Sequence, residues 1–494
     1  MTPDEYDYIV VGSGAGGAAA TYRLTRSGKR VLLLEKGARL PRSGITLDSR
    51  RVLREGEFKS REVWLDGKGR RFMPEEYFNL GGKTKWYGAA LARFGEDEFL
   101  PDAARGFLPW PFDYDEMNPY YAQAGALLGV HQFNIEPDLQ KILARLMQRN
   151  SGWRSAPLTL ALSPEIINYP EELTHFDGFA SPRGLKGDAE SRLLARVEDL
   201  PNLDIVTETS VTGLLPDAAN ATIITGVRCA DGRTYRAQAV LLAAGALHSP
   251  RLLARHLCAT GLEKKLPNAD LVGRFYKHHL LTAVLAFGPH VFTDKLRKTV
   301  LLLHRDLPHS SVQPLGGWVD REIVALETPR LLPGSLKRAL GERVYGFFLQ
   351  TEDGSDARNR VVAEGENTPP RLDYDAARLP AAVAEHRALV RRFQFALFRS
   401  GLLPVAKGIG LAGSAHSCGT LVTGADPRRA VVDPHGRVYG MQNLYVVDGS
   451  VLPRISRVNP ALTICAWSLR VAHYLEPGGE PHEDKIAGLH TVRT

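Results

Sequence analysis

The stretch that decides the fold is YDYIVVGSGAGGAAATYRLTRSGKRVLLLEKG, residues 6–37. It begins with an apolar run over 6–11 and ends with another over 30–34, each the length of one buried strand. Between them, Ala and Leu are frequent from Ala15 to Thr25, which favours a helix. Apolar strands around a helix are typical of a parallel sheet covered on both faces. The stretch therefore predicts the β-α-β unit of a Rossmann-like domain.

Glycines occupy the turn between the first strand and the helix, where residues 12–17 fit the pattern G-x-G-x-x-G. Gly12 permits the tight turn, Gly14 lets a pyrophosphate approach the backbone, and Gly17 allows close helix–strand packing. Glu35 ends the second strand, where a carboxylate accepts hydrogen bonds from ribose hydroxyls and repels a 2′-phosphate. The pattern predicts FAD or NAD, with NADP disfavoured.

A second match to the pattern covers residues 408–413, with glycines at Gly408, Gly410 and Gly413. No strong strand precedes it and no apolar helix follows it, so we interpret it as a flexible loop. A nicotinamide-using disulfide reductase would carry a second well-formed nucleotide site and a redox cysteine pair. Neither is found in the sequence.

Composition excludes several classes of protein. The chain has 494 residues, 44% hydrophobic and 24% charged, with a net charge of +7, which is ordinary for about two to four globular domains. Basic residues are scattered, so we expect no nucleic-acid partner. The N-terminus lacks the basic region of a secretory signal, and no apolar stretch reaches about 18 residues. We therefore expect a cytoplasmic protein with no membrane span.

The remaining elements are predicted from apolar spacing and turn residues. They comprise loops and short elements over 40–80, helices over 113–130 and 191–200, strands over 201–206, 211–215 and 224–244 with a hairpin at Asp231-Gly232, a long helix over 377–400, a strand over 443–450, and a last helix over 461–475.

Several segments together resemble the glucose–methanol–choline (GMC) oxidoreductase family, flavoenzymes that oxidise alcohols. Besides the N-terminal stretch, the similar segments are LGGKTKWYGAALARF (80–94), WPFDYDEMNPYYAQAGALLGV (110–130), AVLLAAGALHSPRLL (239–253), LVGRFYKHH (271–279), and the block from HSCGT to AHYL (416–475). The resemblance is thin over 40–75 and 130–185 and nearly absent over 280–400. It implies FAD as the cofactor.

The resemblance implies that distant residues converge on one flavin. The His of H-x-x-G-T is His416, expected to be the catalytic base, and its partner in R-V-N-P is Asn459. Members with covalent FAD use a His just after the Gly-Gly loop, where this chain has Lys85, Trp86 and Tyr87, so we expect non-covalent FAD. The expected FAD-binding residues are Gly12, Gly14, Ala15, Gly17, Glu35, Gly81, Gly82, Thr84, Val211, Ala244, Asp448, Gly449, Asn459 and Pro460.

These residue types suit alcohol oxidation, which removes a proton from oxygen and a hydride from carbon. A neutral His takes the hydroxyl proton near neutral pH, since its unperturbed pKa is about 6.5. Asn459 can donate an N–H to the developing alkoxide. Pro460 suits the first position of the last helix, which would make Asn459 its N-cap. The resemblance implies that the positive end of that helix faces the flavin, where it would stabilise an anionic reduced form.

The predicted fold class is α/β, or α+β overall. It comprises a Rossmann-like FAD-binding domain over 1–280, with substrate-side insertions near 40–80 and 130–185, and a second, antiparallel-sheet substrate-binding domain over 281–404. Residues 405–494 return to the FAD-binding domain. The alternatives are a non-redox flavin lyase or isomerase and a non-catalytic Rossmann binding protein. The substrate, expected to be a small alcohol or sugar-like molecule, the electron acceptor and the oligomeric state stay open.

Some residues carry two interpretations. Trp86 and Tyr87 either wall the flavin pocket or fill the core. Asp448 either stabilises a turn or lies beside the ribityl chain. His278 and His279 suggest a metal, but no third ligand has a useful spacing, so we predict no metal site.

Two further groups are expected to have no chemical role. Cys418 and Cys465 flank the predicted site and are expected to be small apolar filler. A basic group within 281–404 would suit a polyhydroxylated or anionic substrate, but we expect it to be mainly solvated surface. Its members are Arg297, Lys298, Arg305 and His309.

Overall fold

The computed structural model describes residues 5–149, 152–329, 331–363, 365, 368–477 and 491–492. Its α-helices are α1 (Ala15–Arg26), α2 (Tyr114–Leu128), α3 (Pro137–Arg149), α4 (Pro170–His175), α5 (Ala189–Arg192), α6 (Ser249–Thr260), α7 (Val319–Glu327), α8 (Gly334–Gly341), α9 (Pro380–Arg399) and α10 (Ala461–Leu475).

The strands follow in chain order. They are β1 (Glu5–Val11), β2 (Val31–Leu34), β3 (Trp64–Asp66), β4 (Arg71–Phe72), β5 (Val130–Phe133), β6 (Trp153–Pro157), β7 (Thr159–Ala161), β8 (Leu203–Val206), β9 (Val211–Pro216), β10 (Ile224–Cys229), β11 (Thr234–Leu242), β12 (Lys277–Phe287), β13 (Val300–His304), β14 (Leu307–Pro314), β15 (Val344–Glu352), β16 (Arg360–Val362), β17 (Arg371–Asp373), β18 (Leu403–Ile409), β19 (Ser417–Cys418), β20 (Leu444–Val446) and β21 (Thr491–Val492).

The first sheet contains the predicted β-α-β unit at its centre. Its order is β8-β2-β1-β11, all parallel, with β20 parallel to the carboxyl half of β11. The antiparallel strands β10 and β9 continue from the amino half of β11. Ile9, Val10 and Leu32 are fully buried, and α1 packs against β1, β2 and α10. The prediction of a Rossmann-like sheet is confirmed.

The second sheet is antiparallel, in the order β18-β12-β15-β14-β13-β6, and β19 pairs with the start of β12. Helices α3 and α9 cover one face, where Leu146 and Phe393 are buried against Val284 and Phe347. This confirms the predicted antiparallel sheet. The sheet also takes in β6, from within 130–185, and begins at Lys277 in β12.

Smaller sheets lie at the margins, in the orders β16-β17-β3-β4 and β21-β5-β7. Among the described helices, none combines the length and the apolar character that crossing a lipid bilayer requires.

Two sequence predictions need correction. The helix predicted over 191–200 is only the single turn α5, followed by a 3₁₀ turn at Leu194–Arg196. The apolar residues are nevertheless buried, because the tighter turn still points Leu193, Leu194 and Val197 into the core. The loop predicted over 408–413 is partly strand, since Gly408 pairs with Thr282 of β12. Edge pairing uses backbone groups, so it leaves little trace in the side chains.

Candidate active site

A cavity of about 630 Å³ lies between the two large sheets. The carboxyl ends of β1, β2 and β11 form one side, and β12, β14 and β15 contribute to the other. Carboxyl ends of parallel strands are where open α/β sheets bind ligands. The predicted site residues that line the cavity are Gly12, Gly14, Ala15, Glu35, Gly82, Thr84, Val211, Ala244, His416, Asp448, Gly449, Asn459 and Pro460, whereas Gly17 and Gly81 lie just behind the lining.

The turn after β1 forms one wall. Gly12 has a φ of +104°, which favours glycine. A Cβ at Gly17 would lie 1.8 Å from the Gly12 carbonyl oxygen, so only glycine lets α1 pack this closely. A Cβ at Gly14 would meet nothing within 4 Å, because Gly14 faces the cavity. The first N–H groups of α1, which lack helical partners, therefore border open space.

Glu35 lies at the end of β2 and is buried. Its Oε2 accepts hydrogen bonds from Ser13 N (3.0 Å) and Ser13 Oγ (2.6 Å), and its Oε1 accepts one from Gly37 N (2.9 Å). Burial raises the pKa of this carboxyl group. A carboxylate accepts about four hydrogen bonds, so Glu35 keeps acceptor capacity toward the cavity.

The Gly-Gly loop packs directly against the first turn. Gly81 N donates to Ser13 Oγ at 3.0 Å, and a Cβ at Gly82 would lie 3.2 Å from Gly14 Cα. Thr84 Oγ1 donates to the Gly81 carbonyl (2.6 Å) and accepts from Ala189 N (3.0 Å). The Thr84 hydroxyl therefore braces the loop from the cavity wall.

The residues after this loop serve different purposes. Lys85 forms buried ion pairs with Asp188 and Glu190, and its side chain is absent from the cavity lining. Trp86 and Tyr87 both line the cavity, and the Tyr87 hydroxyl donates to a backbone carbonyl. Both rings therefore line the cavity and also fill space in the protein interior.

Asp448 stabilises a turn. Its Oδ2 accepts from Gly245 N (2.8 Å) and Ser249 Oγ (2.5 Å), and its Oδ1 accepts from Ser450 N (2.9 Å) and Ser450 Oγ (2.5 Å). Four protein donors occupy the carboxylate, and they join the loop after β11 to the loop after β20. The turn-stabilising interpretation therefore accounts for the carboxylate, while Ala244 and Gly449 beside it line the cavity.

The start of α10 differs from the prediction by one residue. Pro460, rather than Asn459, is the N-cap of the helix at Ala461–Leu475. The carboxamide of Asn459 is engaged elsewhere, because its Oδ1 accepts from Gln313 Nε2 at 2.7 Å. This bond turns Asn459 Nδ2 toward His416 Nε2, 3.4 Å away. Asn459 therefore lines the cavity and is not the helix cap.

His416 is held by a neighbour, His279, that the sequence suggested only as a metal ligand. His279, in β12, is fully buried, and its Nε2 lies 2.7 Å from the Ser456 carbonyl oxygen. A carbonyl only accepts, so His279 Nε2 carries the proton. Burial lowers the pKa of His279 to about 4, so the ring is neutral and its Nδ1 is an acceptor.

The hydrogen bond between the two histidine rings determines which nitrogen of His416 carries the proton. The Nδ1 atoms of His416 and His279 are 2.8 Å apart. His279 Nδ1 is the acceptor there, so His416 Nδ1 carries the proton and donates it. His416 Nε2 is then the nitrogen with the free lone pair, and it faces Asn459 in the cavity. Ser456, whose carbonyl begins the chain, has a φ of +72°, a strained backbone of the kind stored at functional sites.

Electrostatics keep His416 in its neutral form. Burial holds the pKa of His416 well below its usual range, and His279, Lys83 and Lys298 act in the same direction. A neutral imidazole is the form that accepts a proton.

The expectation of mainly solvated basic residues is wrong for three of the four, since only Arg305 is exposed. Arg297 is fully buried and forms an ion pair with Asp320. Lys298 lines the cavity and pairs with Asp177 at 2.7 Å. The sequence shows that a residue is charged, but it does not show whether a partner from another element will bury that residue. Arg305 is exposed, and His309 contacts Glu352.

Other predicted roles concern metal and cysteine. Within the described residues, no group of three His, Cys, Asp or Glu side chains could hold a metal ion, and His278 Nδ1 instead contacts Ser414 Oγ at 3.0 Å. Cys418 and Cys465 are fully buried, and burial raises the pKa of both thiols. They pack in the core, as small apolar side chains do.

The residues present fit FAD. Gly14 leaves an uncovered backbone beside the N-terminus of α1, which suits a pyrophosphate. Glu35 has acceptor capacity for a ribose. The same cavity continues to His416 and Asn459, where a redox-active ring would meet a substrate.

Comparisons with known proteins agree with this geometry. Residues 7–283 match the family described as FAD dependent oxidoreductase, and residues 356–468 match GMC oxidoreductase in its C-terminal part. The 6'''-hydroxyparomomycin C oxidase of Streptomyces lividus is 28% identical, over 94% of this chain and 90% of that protein. The 2-methyl-1,2-propanediol dehydrogenase of Mycolicibacterium austroafricanum is 24% identical, over 96% and 95%.

A solved structure shares the fold. Pyridoxine 4-oxidase from Mesorbium loti superposes with a TM-score of 0.68 at 18% identity, covering 96% of this chain and all of that one. The first family match alone spans more than half of the residues. The chain therefore belongs to the FAD-dependent oxidoreductases and, within them, to the GMC family.

Proposed function

We propose that the protein oxidises a CH–OH group of an alcohol or sugar-like substrate to the carbonyl, with His416 as the base. The arrangement of His416 carries the proposal. Its Nδ1 proton is engaged by His279 at 2.8 Å, so its Nε2 lone pair points into the cavity that the dinucleotide turn also lines.

His416 and Asn459 have different roles at the substrate oxygen. His416 Nε2 removes the hydroxyl proton, and Asn459 Nδ2 donates an N–H to the same oxygen as negative charge develops there. The two nitrogens are 3.4 Å apart and both residues line the cavity, so one hydroxyl lying in front of them can contact both. Gln313 holds the Asn459 carboxamide in this orientation. Two fixed polar groups thereby orient the carbon that reacts.

FAD, when bound, supplies the oxidant, because its isoalloxazine accepts a hydride at N5. The N-terminus of α10 borders the cavity at Pro460 and Ala461, where its partial positive charge favours nearby negative charge. We propose that FAD is held without a covalent bond, since Lys85 is committed to ion pairs away from the cavity. Acid precipitation should then release all of the flavin, and flavin retained in the pellet would contradict this.

The named relatives support the substrate class. One acts, by its name, on hydroxyparomomycin C and another on 2-methyl-1,2-propanediol, and both names denote oxidation. Nothing in the site or in these names favours a non-redox enzyme or a binding protein.

The test is anaerobic bleaching of the yellow holoenzyme across a panel of alcohols and sugars, followed by air. We expect at least one to reduce the flavin, and reoxidation on aeration would report reactivity with oxygen. His416→Ala should keep the bound flavin but slow its reduction about a hundredfold or more, because the proton acceptor is lost. Equal rates in the variant and the wild type would refute His416 as the base.

A further inference from the structure

An ion pair lies inside the cavity and is not used by the chemistry proposed above. Lys298 Nζ is 2.7 Å from Asp177 Oδ2, and the two side chains are only 8% and 13% exposed. Gly316 N also donates to Asp177 Oδ2 at 2.8 Å. Both charged residues line the same cavity as His416. Removing two charges from water costs free energy, so the position of this ion pair in the cavity indicates a functional role.

Glycine at position 88 leaves room for the ends of this pair. A Cβ at Gly88 would lie 2.1 Å from Asp177 Oδ1 and 2.3 Å from Lys298 Nζ. Neither atom could stay in place beside any other residue. Gly88 itself lines the cavity, so the ion pair occupies the space where a side chain would otherwise project.

The pair leaves hydrogen-bonding capacity free. Within the described part of the chain, both bonds to the Asp177 carboxylate reach Oδ2, which leaves Oδ1 as an acceptor. Lys298 has three N–H donors, and one is used on Asp177. The pair is neutral overall, so it does not select an ion of either sign. A hydroxyl group both donates and accepts, and it therefore matches the pair.

The pair is within reach of the reacting centre. Gln313 holds Asn459, and Gly316, three residues further along, holds Asp177. Three residues of chain span at most about 10 Å. Burial is the main cause of the low pKa of His416, and the charge of Lys298 contributes to it as well. A ring-sized molecule bound at His416 would thus extend to the pair.

We propose that Asp177 and Lys298 form a subsite that binds a second hydroxyl group of the substrate, so that the enzyme prefers polyhydroxylated alcohols to mono-alcohols of the same shape. This inference rests on the proposed function and names its substrate class. A mono-alcohol would leave the pair without its partner, and buried polar groups without partners discriminate strongly.

The test uses the holoenzyme and two matched pairs of alcohols. Methyl β-D-glucopyranoside is compared with tetrahydropyran-2-methanol, and myo-inositol with cyclohexanol. The variants are Asp177→Asn with Lys298→Met as a double substitution, which leaves no unpaired buried charge, and Gly88→Ala, which keeps both charges but displaces them. Lys407→Met, which breaks an exposed ion pair with Glu327, is the control for loss of a lysine. Flavin content and the melting temperature of each variant report its folding.

We expect the wild type to oxidise a polyol with a kcat/KM at least tenfold above that of its mono-alcohol partner. The double variant and Gly88→Ala should lower the polyol value tenfold to a hundredfold more than the mono-alcohol value, mainly through KM, because hydrogen bonds to charged groups are lost. Lys407→Met should preserve the ratio. Equal losses for both members of a pair, or no preference in the wild type, would overturn the subsite.

Failure of the proposed function would look different. If no alcohol reduces the wild-type flavin, the proposed oxidation is refuted. The subsite is then tested by the binding of polyols. A polyol that raises the melting temperature of the wild type but not that of the double variant would support the subsite. No such difference would overturn it.

Discussion

The proton on His416 is placed by its neighbours and not by the residue itself. Ser456 accepts from His279 Nε2, and His279 Nδ1 accepts from His416 Nδ1. Only this order of protons leaves the Nε2 lone pair of His416 directed into the cavity. Since burial lowers the pKa of both rings, neither is charged near neutral pH. His279 is thus a positioning residue for the base.

Variants of His279 test this role. His279→Leu removes the acceptor for His416 Nδ1–H, so we expect flavin reduction to slow about tenfold to a hundredfold with little change in KM. His279→Gln retains a donor and an acceptor and should restore part of the rate. Equal rates in the Leu and Gln variants would contradict the positioning role of His279.

In the wild type, kcat/KM should stay level from about pH 8 to about pH 6, because the depressed pKa of His416 keeps its ring neutral well below the usual value of about 6.5. A fall in kcat/KM that begins near pH 7 would contradict the depressed pKa of His416.

At the scale of elements, the turn between β1 and α1 uses its glycines for two different purposes. Gly17 brings α1 against the turn, while Gly14 leaves space at its end. The two positions therefore form a matched pair for substitution by the same residue.

Alanine at each position should separate folding from cofactor binding. Gly17→Ala places a Cβ 1.8 Å from the Gly12 carbonyl oxygen, so we expect a loss of about 3 kcal/mol or more in the free energy of unfolding, as for overpacked cores. Gly14→Ala should leave the apoprotein within about 1 kcal/mol of the wild type yet weaken FAD binding, because the added methyl group enters the space open to the pyrophosphate. Denaturant unfolding of the apoprotein and titration with FAD measure the two effects. Similar unfolding of both variants would contradict this division.

At the scale of the whole molecule, a buried ion pair joins the second large sheet to the segment between β20 and α10. Glu352, at the end of β15, contacts Arg454 at 2.7 Å, and both side chains are almost inaccessible. Arg454 lies in the segment that leads from β20 to Asn459 and α10. The charge of Arg454 lowers the pKa of Glu352 to about 2, against the effect of burial. The second sheet is thereby coupled to the segment that carries Asn459.

We therefore expect the two sheets to unfold together. Arg454→Met removes the buried cation that pairs with the Glu352 carboxylate, so it should lower the free energy of unfolding by about 3–5 kcal/mol. Arg428→Met, which breaks an exposed pair with Asp426, should cost less than about 1 kcal/mol. Flavin fluorescence and far-UV circular dichroism should give coincident transitions in the wild type. A second sheet that melts separately while flavin stays bound would contradict the coupling.

Local patterns in the sequence were sufficient for much of this protein. The apolar runs and glycines of residues 6–37 predicted the β-α-β unit, because buried parallel strands and tight turns leave a strong local signature. The resemblance of the C-terminal block pointed to His416 and Asn459, which the structure places 3.4 Å apart.

Other features depended on contacts between residues distant in the chain, and local patterns cannot carry them. Asn459 was expected to cap α10, but Gln313, which lies 146 positions away, holds its carboxamide. The sequence suggests His279 only as a metal ligand, whereas the fold brings its Nδ1 to His416. The sequence predicts Lys298 at the surface, whereas Asp177 pairs with it inside the cavity. Strand and turn formation is decided by neighbours in sequence, whereas protonation, side-chain orientation and pairing of charges are decided by whichever groups the chain brings together in space.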